Sequence, residues 1–194
     1  MNIICIGYPK AGTTWLTRLT AELIHAPVIG FWGEPNNYEV AIEGETRRSD
    51  YRVHKAHQQY KDLNPCGAKL IYIRRHIKDV IISGQRYFHY DYDTMRLAVT
   101  HGIDNNAWMR VGMKEHLEGY LGKALIVSYE ELYFKPEQTC KRILYYLNLS
   151  SSYEHIRSAI INQSFENKKR KFEQAGDNIR ADLMVVGKPY QYRG

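Results

Sequence analysis

Residues Gly7 to Trp15 constrain this chain more than any other stretch. They read Gly-Tyr-Pro-Lys-Ala-Gly-Thr-Thr-Trp and stand between the apolar tetrad Ile3-Ile4-Cys5-Ile6 and a run in which Leu16, Leu19, Thr20 and Leu23 recur with helical period. A short apolar run without polar alternation suits a strand buried on both faces, and the period that follows suits an amphipathic helix. The segment therefore predicts a strand, a tight turn and a helix beginning near Thr13. Such a helix offers unpaired N–H groups and the positive end of its dipole to an anion. Gly12 lets the backbone approach that anion closely, and Thr13 and Thr14 add hydroxyl donors. The expectation is a phosphate cradle; the alternative is a polar turn that binds nothing.

In nucleotide-hydrolysing P-loops a lysine follows the second glycine and a hydroxyl binds magnesium. Here Thr13 occupies the lysine position and the cation sits at Lys10. A P-loop small-molecule kinase is accordingly the weaker enzymatic reading.

The remaining pattern extends the strand-and-helix theme. Residues 30–50 read as a loop over a site, Tyr51 to Lys55 as a short strand, and Leu70-Ile71-Tyr72-Ile73 as a buried one. Ile77, Val80, Ile81, Gly84 and Phe88 mark a helix, residues 104–120 read as another, and Ala124 to Ser128 as a further strand. A helix starting near Pro136 follows, and Ser151 with Glu154 reads as a capping box for the next. Strands separated by helices predict a three-layer α/β fold, with a P-loop-like parallel sheet covered by helices on both faces and ligands beyond its carboxyl edge. At 194 residues and 44% hydrophobic content, the expectation is a single domain, 1–194.

A net charge of +6 suits a polyanionic ligand. The 16 tyrosines interleaved with basic residues keep a nucleotide- or RNA-binding module without catalysis in view, although no basic run has the period of a nucleic-acid module. Lys168-Lys169-Arg170-Lys171 reads as a solvated helix face. Cys5, Cys66 and Cys140 have no metal-site spacing, which points to a reducing compartment and no structural metal. Met1 is followed almost at once by the first strand, and no run is long and apolar enough to span a bilayer, so the expected location is cytoplasmic.

A second polar turn follows the second buried strand and places Arg75 at the strand end with Ser83 within the next helix, a pair able to hold a second phosphate. With the first motif, this resembles the cytosolic sulfotransferase family, which uses 3′-phosphoadenosine 5′-phosphosulfate (PAPS) as sulfuryl donor and releases adenosine 3′,5′-bisphosphate (PAP). Lys55-Ala56-His57 resembles the family's Lys-Thr-His segment, Tyr129-Glu130-Glu131 a Tyr-Glu-Asp stretch, and Ser164-Phe165-Glu166-Asn167 an adenine-side segment.

The resemblance implies a set of roles. His57 is the base, with Lys10 and Lys55 stabilising charge at the departing phosphate. Ala11, Gly12, Thr13 and Thr14 belong to the 5′-phosphosulfate loop, Trp15 and Phe165 flank the adenine, Tyr129 contacts the nucleotide, and Arg75, Ser83 and Arg193 hold the 3′-phosphate. Arg75 is preferred to Arg74 because it alone has the family's spacing to Asp79 and Ser83. Tyr129 and Phe165 are equally readable as packing residues, whereas for Trp15 the motif around it favours the adenine role over a place in the core.

The chain departs from the family at His76-Ile77, where Asn-Pro is usual, and at Tyr192-Arg193-Gly194, which resembles only the first half of a late glycine-rich segment. The implied partner is a small-molecule hydroxyl acceptor, with neither nucleic acid nor membrane involved and the oligomeric state open. Phe31, Trp32, Tyr38, Tyr87, Phe88 and Tyr90 are candidates for an aromatic acceptor pocket. The implied reaction is in-line sulfuryl transfer with no metal demanded.

Overall fold

Ile3, Cys5, Ile71 and Ile73 face one side of a sheet while Ile4, Ile6, Leu70 and Tyr72 face the other, and all eight are buried. Strands that are apolar on both faces need cover on both, which is why helices flank this sheet. The computed structural model describes residues 1–33, 44, 46–175, 184–185 and 188–189. The chain runs through β1 (Asn2–Gly7), α1 (Thr13–Leu23), β2 (Val28–Phe31), β3 (Arg52–Ala56), α2 (Tyr60–Leu63), β4 (Lys69–Arg74) and α3 (Ile77–Phe88). It continues through α4 (Tyr92–His101), α5 (Met113–Glu118), β5 (Leu125–Ser128), α6 (Tyr129–Phe134), α7 (Pro136–Tyr146), α8 (Tyr153–Asn162) and α9 (Phe165–Ala175). Met184–Val185 and Lys188–Pro189 form a small antiparallel pair, β6 and β7.

The main sheet is parallel with strand order β2-β3-β1-β4-β5. One face packs against Leu16 and Leu19 of α1, Cys140, Ile143 and Leu144 of α7, and Ile156 and Ala159 of α8. The opposite face packs against Leu63, Leu117 and Tyr120. A third cluster lies where Tyr8 meets Val80 and Ile81 of α3 and Met95, Ala98 and Val99 of α4. The two helices come close because Gly84 has no side chain: a Cβ there would lie 2.5 Å from Met95 Sδ. The three-layer α/β architecture is thus the one the strand and helix pattern implies.

Several local expectations need correction. The segment read as loop from residue 30 opens inside β2, a strand only four residues long whose register shifts between Val28 and Gly30. So short and irregular a strand carries no periodic signal. Of residues 104–120 only Met113–Glu118 are α-helical, and α4 escaped notice. Ser152, not Ser151, caps α8, its hydroxyl accepting from His155 N at 3.1 Å, and the capping box belongs to Ser128 and Glu131 at the start of α6. Lys169 and Arg170 are exposed as expected of a solvated face, but Lys168 is buried.

The far end of α1 is anchored by Glu22, whose carboxylate accepts from Arg47, from Asn162 Nδ2 at 3.0 Å and from Gln163 Nε2 at 3.4 Å. Burial pushes this carboxyl up, but the Asn162 hydrogen bond and the Arg47 charge outweigh it and hold the group below its ordinary 4.5. A carboxyl depressed in the folded state stabilises above its unfolded value and loses that contribution as pH falls through the folded one. Glu22→Gln should therefore cost roughly 1–3 kcal/mol at neutral pH in urea denaturation. The gap between variant and parent should close as the pH is lowered below 4.5, and a gap independent of pH would show that the carboxylate contributes nothing.

Candidate active site

The chain steps from β1 to β2 and β3 on one side and then crosses to β4 and β5 on the other, so the strand order reverses at β1. In open α/β sheets the crevice at such a switch point is the usual ligand site. Beyond the carboxyl ends of β1, β3 and β4 lie the three segments singled out in the sequence.

After Gly7 the backbone folds into a tight turn in which Ala11 N–H donates to Tyr8 O at 3.0 Å. Ala11 is fully buried, and its amide closes this turn. Lys10 (φ 70°) and Gly12 (φ 102°) both adopt left-handed conformations, uncommon for a lysine and concentrated at functional turns. The ladder of α1 begins with Leu16 N–H to Gly12 O at 3.1 Å, and no side chain among the described residues caps the helix. The amides of Thr13, Thr14 and Trp15 therefore have no intrahelical acceptor. Thr13 Oγ1 is buried without a hydrogen-bond partner among the described residues. Donors so placed at a helix amino end suit an anion.

The second polar turn meets the first. The guanidinium of Arg75 lies 4.1 Å from the ring centre of Tyr129, and its Nη1 donates to Lys10 O at 3.4 Å. Its Nε stands 4.0 Å from Asp79 Oδ2, close enough for attraction but too far for a hydrogen bond. Arg74 is exposed. Tyr129 packs edge-on to Trp15 at 5.2 Å, and a Cβ at Gly12 would come within 2.6 Å of the Tyr129 ring. Lys10, Gly12, Trp15, Arg75 and Tyr129 are thus brought together. Lys10 Nζ rests over the ring of Tyr87 at 3.8 Å, and Ser83 is half-buried one turn earlier on the same helix. Phe165 stands at the start of α9, half exposed. Tyr38 and Arg193 lie outside the described residues.

His57 immediately follows β3 and is buried. Its Nδ1 lies 2.6 Å from Gly7 O, and because a carbonyl only accepts, the neutral ring carries its proton on Nδ1 and its lone pair on Nε2. Burial lowers the basicity of His57 well below 6.5, and the nearby Lys55 charge adds to the effect. Lys55, also buried, places Nζ 4.5 Å from the ring centre of Phe31. Phe31 in turn stacks on Trp108 at 5.7 Å with planes 9° apart, and both rings flank His57. Trp108 was not among the sequence candidates. The only hint was an aromatic residue within the polar stretch Asp104-Asn105-Asn106-Ala107, which helical period obscured.

A parallel sheet with the amino end of α1 at its switch point thus brings a buried lysine and a buried histidine from the end of β3 to one crevice. The model of the sulfotransferase domain family matches residues 25–182, and the chain belongs to that family of enzymes. The flavonol 4′-sulfotransferase of Flaveria chlorifolia is 22% identical over 97% of this chain and 70% of its own length. The amine sulfotransferase of Oryctolagus cuniculus is 24% identical over 87% of this chain and 63% of its own length. A mouse sulfotransferase solved in complex with PAP superposes with a TM-score of 0.67 at 20% identity, covering 87% of this chain and 66% of that one. The chain therefore spans roughly two thirds of the length of these relatives.

Gly12→Ala should strain the left-handed turn and drive Cβ into Tyr129, at a cost of about 1–3 kcal/mol in urea denaturation. A variant as stable as the parent would mean that the turn relaxes freely.

Proposed function

We propose that this crevice binds PAPS and passes its sulfuryl group to a hydroxyl of a small-molecule acceptor. The observation that carries the reading is the hydrogen bond from His57 Nδ1 to Gly7 O at 2.6 Å, which supports Nε2 as the basic nitrogen beside the anion cradle. The unpaired amides at the start of α1 and the unpartnered Thr13 hydroxyl fit a 5′-phosphosulfate. Arg75, held beside the cradle by Tyr129 and the Lys10 carbonyl, fits a second phosphate, with Ser83 and Arg193 as further donors. Trp15, Tyr129 and Phe165 are assigned to the adenine side. When bound, PAPS supplies the sulfuryl group and leaves as PAP.

Sulfuryl transfer concentrates negative charge on the departing phosphate oxygen, so positioned donors and cations supply much of the acceleration. Lys10, within the turn itself, and Lys55, on β3, are assigned to contribute that positive charge. His57 Nε2 takes the proton of the acceptor hydroxyl as its oxygen approaches sulfur. The flat wall made by Phe31 and Trp108 favours an acceptor whose hydroxyl is carried on a planar or apolar skeleton. A kinase is disfavoured because Thr13 stands where the phosphate-binding lysine would be.

His57→Ala should lower turnover by roughly 10²–10⁴ while PAP still binds in calorimetry. Turnover at parental rate would remove His57 from the role, and binding of ATP with magnesium in preference to PAP would favour the kinase. Because burial depresses the His57 pKa, the base stays neutral into acid, and the acid limb of kcat/KM should fall below pH 6.5. A limb at or above that value would contradict a buried imidazole acting as base.

A further inference from the structure

His57 and Gln58 lie just past the end of β3, where the sheet no longer supplies partners for their carbonyls. Side chains from the α5 region do so instead. His116 Nε2 lies 2.9 Å from His57 O, and the Tyr120 hydroxyl donates to Gln58 O at 2.6 Å. His116 is itself buried, with Nδ1 2.9 Å from the Tyr72 hydroxyl and its ring edge-on to Tyr8 at 5.8 Å. We propose that Tyr72 and His116 are positioning residues that fix the main chain of His57 against the phosphate loop. The inference rests on the reading of His57 as the base.

The hydrogen-bond directions follow from the chemistry of each group. The His57 carbonyl can only accept, so His116 must carry its proton on Nε2, and its Nδ1 is then an acceptor. The Tyr72 hydroxyl fills that acceptor by donating. The chain therefore runs from Tyr72 through His116 to the His57 main chain, and from the His57 ring to Gly7, the residue before Tyr8. Tyr72 sits on β4 beside β1, in register with Ile6, so the circuit closes through the sheet. Both ends of the segment that aims His57 Nε2 are held by it. Without the Tyr72 hydroxyl, the His57 carbonyl alone favours the Nε2–H tautomer, and the buried Nδ1 loses the donor that reinforces it and holds the ring in place. The alternative tautomer would turn a lone pair toward the His57 carbonyl oxygen, and two acceptors facing each other repel.

Tyr72→Phe removes one oxygen and keeps the ring, and His116→Gln keeps a donor that can reach His57 O. In ¹⁵N-edited imidazole spectra of the full chain, the parent should show His57 protonated at Nδ1 and His116 at Nε2. Tyr72→Phe should shift the His116 Nδ1 resonance and displace the His57 resonances, with PAP affinity in calorimetry unchanged. With PAPS and 2-naphthol as probe substrates, Tyr72→Phe should lower kcat on the order of ten-fold with an unaltered donor KM. His116→Gln should recover most of that loss relative to His116→Phe. Unchanged His57 resonances in Tyr72→Phe would overturn the relay, and the spectra decide this whether or not 2-naphthol is turned over. If His57→Ala turns over 2-naphthol like the parent, the base assignment fails instead. If His57→Ala is inactive while Tyr72→Phe keeps parental kcat, only the relay fails.

Discussion

The hydrogen bond between the His57 ring and the Gly7 carbonyl joins the carboxyl ends of β3 and β1, and most of the crevice is arranged around it. Gly7 is the last residue of its strand, and the anion cradle begins with the next residue. One peptide group therefore sets both the orientation of the imidazole and the departure angle of the cradle. The bond also fixes which ring nitrogen holds the proton, while burial and the Lys55 charge keep the ring neutral. A displacement of either strand end would change both geometries together.

The cradle and its surroundings were legible because their signals are local. A strand, a glycine-bearing turn and an amphipathic helix occupy adjacent stretches of sequence, and α3 begins and ends where its apolar period does. The preference for Arg75 over Arg74 rests on the spacing that the family resemblance supplies; Arg75 follows the last residue of β4 and its guanidinium lies beside Tyr129 and the Lys10 carbonyl. What escaped was set by tertiary contact. Trp108 has meaning only through its stacking on Phe31, and His116 only through carbonyls left bare beyond the end of β3. β2 is ordered by pairing with β3 rather than by any pattern of its own. Ser151 and Ser152 are adjacent hydroxyls, and the choice between them depends on which has the extended backbone of a cap.

The family match begins at residue 25, beyond the cradle, so it and the cradle are separate lines of support. The match covers the segments carrying Lys55, His57, Arg75, Ser83 and Tyr129, whereas the cradle stands on its own stereochemistry. Likeness at low identity shows the fold. Under the proposed reading, the side chains around Phe31 and Trp108 face the acceptor.

The two ends of α1 are treated unequally. At its carboxyl end Glu22 is tied to Arg47, Asn162 and Gln163, whereas at its amino end no side chain among the described residues caps the helix. The side chains of its first turn are nonetheless packed, Thr13 and Leu16 being buried and Trp15 resting on Tyr129, so what is left over is main-chain N–H groups and the Thr13 hydroxyl. Under the proposed reading, the anionic ligand acts as the missing cap, and the nucleotide completes the hydrogen bonding of a helix whose packing the polypeptide has already settled.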